Sequence, residues 1–441
     1  MARAVRATAA GGILSAPSVT TLPSGVRVVT ESMDSVRSVA LGFWIGAGSA
    51  YETHSEAGLS HLLEHMLFRG TRRYQSLEID QMFDAMGAEL NAGTGKESTS
   101  VYSRVVDNHL PRAFDVMQEM VFTPRLLEED LANEREIVRE EIAMYEDDPQ
   151  DKIFDLLGQV VFGDHPLGRP TIGREEVISA VSADGLRAFH DAHYAAEDIV
   201  IAAAGSVEHD AVVLLAEGLD VPRRGGATRT LERPAPMTPR PVFFTKDTEQ
   251  YHLCLGGRAI ARDDERRHAL RVLDNILGGT SSSRLFQEVR EQRGLAYSVY
   301  SFTSLFAGAG QVGLYLGTRP DNVAEALGVV GEELRRFVQD PASTSELERS
   351  KENVKGRMVL ALESTSARMN RLGGSLLAGL PLLTIDEAIA KVEAVTMDDV
   401  QALAAEVFDP AGFSAAGIGP DEDLFRRGIE QVSPQLAAEV A

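Results

Sequence analysis

Hydrophobic and polar positions along the chain change period repeatedly, and the changes mark out strands and amphipathic helices. Residues 24–30 alternate after the turn Pro23-Ser24-Gly25 and read as a strand. Residues 39–47 read as a buried strand, broken by Gly46-Ala47-Gly48. In 59–68, Leu59, Leu62, Leu63, Met66 and Leu67 recur at the spacing of one helix face. Residues 76–86 read as a second helix, 98–106 as an alternating strand and 109–122 as a third helix. Thr123-Pro124 reads as the cap and first turn of a long acidic helix that runs to Ile142. A strand at 198–207 and a short helix close this half.

Periodicity lapses over 218–241, which carries Gly225-Gly226 and Pro222, Pro234, Pro236, Pro239 and Pro241, and this reads as a linker. The second half repeats the first in outline. Residues 251–257 read as a strand, 265–277 as a helix, 294–316 as a Gly-punctuated strand pair and 321–338 as a helix. The expected organisation is a disordered lead-in over 1–18, a first domain over 19–217, a homologous second domain over 242–430 and a tail over 431–441. Strands and helices mixed without βαβ alternation predict α+β domains, α/β-sandwich-like with mostly antiparallel sheets.

The first helix carries the chemistry. His61, Glu64 and His65 form an H-x-x-E-H pattern within the apolar run. On a helix the two histidines lie one turn apart on one face, within reach of one tetrahedral zinc ion. Glu64 is placed to take a proton from a zinc-activated water. The equivalent helix of the second half contains His268 and no second histidine at that spacing. A third ligand is needed, and the acidic helix offers many carboxylates. Glu134, Val138, Glu141 and Tyr145 share one stripe, whereas Glu140 points about 100° away from Glu141. Glu141 is therefore the better candidate.

The formal net charge of −23 argues against nucleic acid or an anionic membrane as a partner and suits a positively charged substrate. A lone cysteine, Cys254, excludes an intrachain disulfide and points to a reducing compartment. No run reaches the roughly 20 apolar residues of a membrane span. Residues 1–18 hold Arg3 and Arg6 and no acid, a composition shared by lead-ins and organellar transit peptides. Bacterial cytoplasm and mitochondrial matrix both stay open as locations, the former preferred.

These residues resemble the inverted-zincin metallopeptidases, the family of pitrilysin, insulin-degrading enzyme and the mitochondrial processing peptidase, with the β-subunit branch of the last and its bacterial homologues nearest in length and form. The resemblance covers nearly all of 19–420. It implies a zinc endopeptidase with one Zn²⁺ per chain, held by His61, His65 and Glu141, with Glu64 as the base and Glu134 as an additional active-site carboxylate. It implies that Asn91 and Ala92 lie on an edge strand that pairs with an extended peptide substrate. Arg290 and Tyr297, seven residues apart, match a pair that contacts the scissile carbonyl region. Asp151 and Asp155 match carboxylates that read a basic residue near the cleavage site. It also implies a homodimer closing as a clamshell over a shared chamber. Two alternatives stay open at this stage, a catalytic subunit active only with a different partner chain and a structural core-protein-like subunit.

Overall fold

The computed structural model describes residues 16–223 and 230–438. Two β-sheets organise the chain. The first contains β1 (Ser18–Thr21), β2 (Arg27–Ser32), β3 (Ser38–Ile45), β4 (Glu89–Thr94), β5 (Thr99–Val106) and β6 (Ile199–Gly205), in the spatial order β1-β2-β6-β3-β5-β4. The second contains β7 (Pro241–Thr245), β8 (Tyr251–Ala259), β9 (Ala296–Phe306), β10 (Ala309–Thr318) and β11 (Ser414–Gly419), in the order β7-β11-β8-β10-β9. With β1 set aside, the two orders are identical element for element. The single parallel pairing also recurs, β2 with β6 and β7 with β11. The internal repeat inferred from outline is therefore a repeat of topology.

The helices follow the same scheme. The first half carries α1 (Leu59–Leu67), α2 (Ser76–Met86), α3 (Leu110–Phe122), α4 (Glu128–Asp147), α5 (Pro149–Phe162), α6 (Glu175–Ala180), α7 (Ala183–His193) and α8 (His209–Glu217). The second carries α9 (Arg267–Leu277), α10 (Val323–Gln339), α11 (Thr344–Ala361), α12 (Thr365–Leu377), α13 (Ile385–Glu393), α14 (Met397–Val407), α15 (Glu422–Val432) and α16 (Pro434–Ala438). Most helices cover one face of their own sheet. The other face is covered by exchange. Ile153, Leu157 and Val161 of α5 pack on Cys254, Ala416 and Ile418 of the second sheet. Met369 and Leu372 of α12 pack on Val29, Ala40, Val200, Ala202 and Ala204 of the first. A parallel sheet pair buried on both faces needs apolar residues in both phases, and β6 (Ile-Val-Ile-Ala-Ala-Ala-Gly) is buried throughout.

Three expectations are corrected. The acidic helix begins at Glu128, not at Thr123-Pro124. Pro124 forms a bridge with Thr71, and the Arg125 amide donates to the Gly70 carbonyl, so this stretch runs extended beside the end of α1. The expected tail from 431 starts inside α15 and continues as α16, whose Leu436 lies in the second core. The expected lead-in already forms strand at Ser18, while residues 1–15 lie outside the described residues. Between α8 and β7 the described residues form neither helix nor strand. No described helix is long and apolar enough to cross a membrane.

Candidate metal centre

Helix α1 is positioned before it is decorated. Gly58 precedes it with φ 103°, and a Cβ there would meet the Ile172 carbonyl oxygen at 2.8 Å and the Gly173 Cα at 2.9 Å, so glycine alone fits. The buried carboxylate of Glu52 then accepts from the Gly58 amide at 2.8 Å and the Ser60 amide at 2.7 Å, placing negative charge on the positive end of the helix. Leu62, Leu63, Met66 and Leu67 are buried. That burial fixes the rotation of α1 and turns His61, Glu64 and His65 toward α4 and β4.

Across this face, Glu141 Oε2 lies 3.6 Å from His61 Nε2 and 3.6 Å from His65 Nε2. One ligand atom from each of the three residues falls within 4.8 Å of the others. Glu141 Oε2 is buried and has no hydrogen-bond donor. A desolvated carboxylate oxygen without a donor is costly, and a cation between the three atoms relieves it. Tetrahedral zinc with ligands at about 2.0–2.1 Å separates them by about 3.3 Å, close to what this donor set presents. The residues fit the ion.

Behind His65 lies Glu134, only 2% exposed. Its Oε2 accepts from His65 Nδ1 at 3.0 Å, and its other oxygen pairs with Arg69. An ionised carboxylate has no proton to give, so Nδ1 carries the hydrogen and the Nε2 lone pair is left facing Glu141. His65 is correspondingly raised in pKa by its bond to Glu134, against the opposing effect of burial. His61 is pushed down to about 4, by burial first and by the charge of His65 second. Burial raises Glu134, but the bond to His65 and the charge of Arg69 outweigh it, and the net direction is down. Glu134 thus stands behind a ligand candidate, not in front of it, and a positioning part fits its place better than the expected catalytic one.

Glu64 is held apart from the three ligand atoms. Thr94 Oγ1 donates to Glu64 Oε2 at 2.6 Å, and the carboxyl is raised in pKa chiefly by burial, with the Thr94 bond opposing. Thr94 ends β4, the edge strand of the first sheet, which also carries Asn91 and Ala92 and is paired on one side only, to β5. The edge therefore leads to the carboxylate. Asp151 and Asp155 both lie on α5, but in different settings. Asp151 is exposed, while Asp155 is half-buried and raised by that burial, with Lys96 and then Lys152 opposing.

Arg290 and Tyr297 come together elsewhere. Arg290 Nη1 donates to the Tyr297 carbonyl at 2.7 Å, and its guanidinium lies 4.6 Å from the centre of the Tyr297 ring. Tyr297 is 76% exposed on β9, the edge strand of the second sheet. Among the described residues no hydrogen bond or ion pair joins either residue to His61, Glu64, His65 or Glu141.

Comparison with known proteins bears directly on this arrangement. The model of the insulinase family, peptidase family M16, matches residues 27–175, and that of the peptidase M16 inactive domain matches 180–354. The chain belongs to peptidase family M16. It is 43% identical over 412 residues to a zinc protease of Streptomyces coelicolor, covering 92% of this chain and 90% of that one. It is 40% identical over 404 residues to the zinc protease YmxG of Bacillus subtilis, covering 92% and 98%. A protease from Helicobacter pylori superposes with a TM-score of 0.87 at 21% identity, over 92% of this chain and 100% of that one. This M16 chain is a zinc metalloprotease with zinc as its cofactor. The metal motif falls inside the first matched segment, and the inactive-domain segment runs from the end of the first half into the second.

Three supporting residues were missed by sequence reasoning. Glu52, Arg69 and Thr94 touch the site only through tertiary contacts, from a loop, a helix end and a strand. Their one shared signal is proximity in sequence to α1 or to the edge strand, which does not single them out.

Proposed function

We propose that this M16 peptidase is an endopeptidase that cleaves extended peptides or presequence-like segments, with zinc held by His61, His65 and Glu141. The observation that carries the reading is a buried, donorless carboxylate oxygen facing two imidazole nitrogens, beside a separate glutamate tied to an edge strand. Zinc bound there supplies a Lewis acid, bringing the pKa of water to about 7 and polarising a carbonyl. The chain's own residues do the rest. The edge of β4 at Asn91–Ala92 offers backbone groups to an extended peptide and aligns it toward Thr94 and Glu64. Glu64 takes the proton of the attacking water and returns it to the departing amine. Glu134 fixes the tautomer and tilt of His65. Arg290 and Tyr297, offered by a second copy in a two-fold homodimer, donate to the developing oxyanion.

The negative chain and exposed Asp151, with Asp155 behind it, favour a basic residue near the scissile bond. Bacterial relatives favour the cytoplasm as the working compartment. The length and two-half form still favour the processing-peptidase branch. The decisive experiment is Glu64→Gln in the zinc-loaded chain. Zinc content should stay near one per chain while cleavage of a basic peptide falls by at least a hundredfold, the range expected for loss of a general base, about 10²–10⁴. Full activity in that variant removes Glu64 from the chemistry, and loss of zinc makes it a ligand instead.

A further inference from the structure

The duplication lets each residue of the metal site be matched to one in the second half. Buried Leu62, Leu63, Met66 and Leu67 of α1 correspond to buried Val272, Leu273, Ile276 and Leu277 of α9. Buried Leu131, Glu134 and Val138 of α4 correspond to buried Leu347, Ser350 and Val354 of α11. The two helix pairs are joined at the same level, though by different bonds. Where His65 bonds Glu134, Ser350 Oγ donates to the Val272 carbonyl at 3.0 Å and Asn275 Nδ2 donates to Asn353 at 2.9 Å. On this frame Arg271 stands in the place of His61, Asp274 of Glu64, Asn275 of His65 and Arg357 of Glu141. The edge strand repeats its part too, since Ser301 on β9 touches Asp274 as Thr94 on β4 touches Glu64.

The substitutions reverse the chemistry. Two positions that hold a cation in the first half bear cations in the second. Arg271 and Arg357 are both exposed, and neither makes a hydrogen bond or an ion pair among the described residues. The acids around them are engaged or withdrawn. Glu265 bonds Lys391 at 2.8 Å, Glu393 bonds Lys355 at 2.6 Å, and Asp274, which Arg271 senses, is half-buried. Arg267 and Lys391 both pair with Glu265, and burial pushes His268 down to about 4, so the free positive charge here is that of Arg271 and Arg357.

We infer that the second half retains the frame of the metal site as a carboxylate-binding subsite, with Arg271 and Arg357 as its two guanidinium forks. Planar guanidinium groups match a carboxylate bidentately, which lysines do not. On a chain of net charge −23, acidic groups of a ligand are repelled nearly everywhere, so an unpaired arginine pair marks a place where one is accepted. The inference rests on the proposed peptide substrate, whose carboxylate comes from its C-terminus or from an acidic side chain.

The test is fluorescence anisotropy on the zinc-loaded Glu64→Gln chain, with peptide integrity checked by mass spectrometry after each titration, so that residual cleavage, which would refute the role of Glu64, is told apart from weak binding. Three N-terminally labelled peptides of one sequence are compared, with a free C-terminal carboxylate, with a C-terminal amide, and with the amide plus a glutamate beside it. The free acid should bind at least tenfold tighter than the plain amide. Adding Arg271→Gln with Arg357→Gln should abolish that preference, and the paired Lys substitutions should keep part of it by retaining charge without the fork. The glutamate peptide assigns the source, following the acid if side chains serve and the plain amide if only the C-terminus does. Equal affinity for acid and amide in the parent chain overturns the inference, as does a double Gln variant that weakens both equally.

Discussion

Replacing Glu134 by Gln tests whether the metal centre is built from behind as well as in front. The side chain is 2% exposed and makes two contacts, one to His65 Nδ1 at 3.0 Å and one to Arg69. Gln keeps the shape and one acceptor oxygen but removes the charge that holds the Nδ1 proton and balances Arg69. Loss of a partner behind a metal-binding histidine typically weakens metal affinity about 10- to 100-fold, or about 1.4–2.7 kcal/mol. Two companions bracket that figure. Glu141→Gln removes an oxygen 3.6 Å from both imidazoles and should abolish stoichiometric zinc. Glu140→Gln alters an exposed neighbour and should change nothing.

The assay is competition for zinc with a chromogenic chelator of known affinity, on folded proteins checked by circular dichroism. The expected order is wild type equal to Glu140→Gln, then Glu134→Gln, then Glu141→Gln. A Glu134→Gln variant that binds zinc as wild type does would refute the positioning role. Equal behaviour of the Glu140 and Glu141 variants would remove the latter from the centre.

Three further outcomes are expected. Arg368 and Arg371 of α12 both pair with Glu31 of β2, and Arg368→Met, which leaves a buried carboxylate short of a partner, should cost about 3–5 kcal/mol in urea unfolding followed by the single Trp44, whose Nε1 donates to Met369 on the same helix. Arg371→Met should cost clearly less, because its side chain is 26% exposed against 8% for Arg368, and equal costs would contradict the burial argument. Glu346 is held down at about 2, chiefly by hydrogen bonds from the Arg284 fork. Its folded pKa is depressed, so the stability it adds is present above its ordinary value near 4.5 and is lost as pH falls toward 2, and Glu346→Gln should flatten acid unfolding in that window. Finally, a mixed dimer of Glu64→Gln and Tyr297→Phe chains should regain one working site if the site is shared, whereas activity at the level of the parent variants would count against sharing.

Much of the centre was legible because helix spacing alone selects it. The four-residue step from His61 to His65 sets two imidazoles on one face, and the stripe through Glu134, Val138 and Glu141 separates Glu141 from Glu140. Both inferences need only the 3.6-residue period. What stayed hidden depends on contacts between elements. Nothing local marks Glu52 as the cap of a helix that starts seven residues later, or Thr94 as the partner of Glu64. The start of α4 was misplaced because Thr123-Pro124 has the chemistry of a helix cap, and only its bridge to Thr71 shows that tertiary pairing took that stretch. The exchange of α5 and α12 was equally invisible. An amphipathic helix has the same sequence whichever sheet it covers.

That exchange bears on why a second half accompanies the candidate metal centre. Helix α4 ends at Asp147 and α5 begins at Pro149, so the helix carrying Glu141 runs on through Asp148 into the one that covers the second sheet. The Asp148 side chain caps α5 by accepting from the Gln150 amide at 2.7 Å, which fixes the corner between them. Lys246, at the end of β7, bonds Asp147 at 3.0 Å and ties the same corner to the second sheet. Among the described residues the apolar face of α5 packs on the second sheet, against β8, β10 and β11, and the outer face of the first sheet is covered chiefly by α12. Either half alone would expose one apolar sheet face and one apolar helix, a cost of burial lost twice over. The second half thus fixes Glu141 from one side while α1 fixes the two histidines from the other. Precision at the candidate centre depends on a half in which the described residues form no comparable ligand cluster.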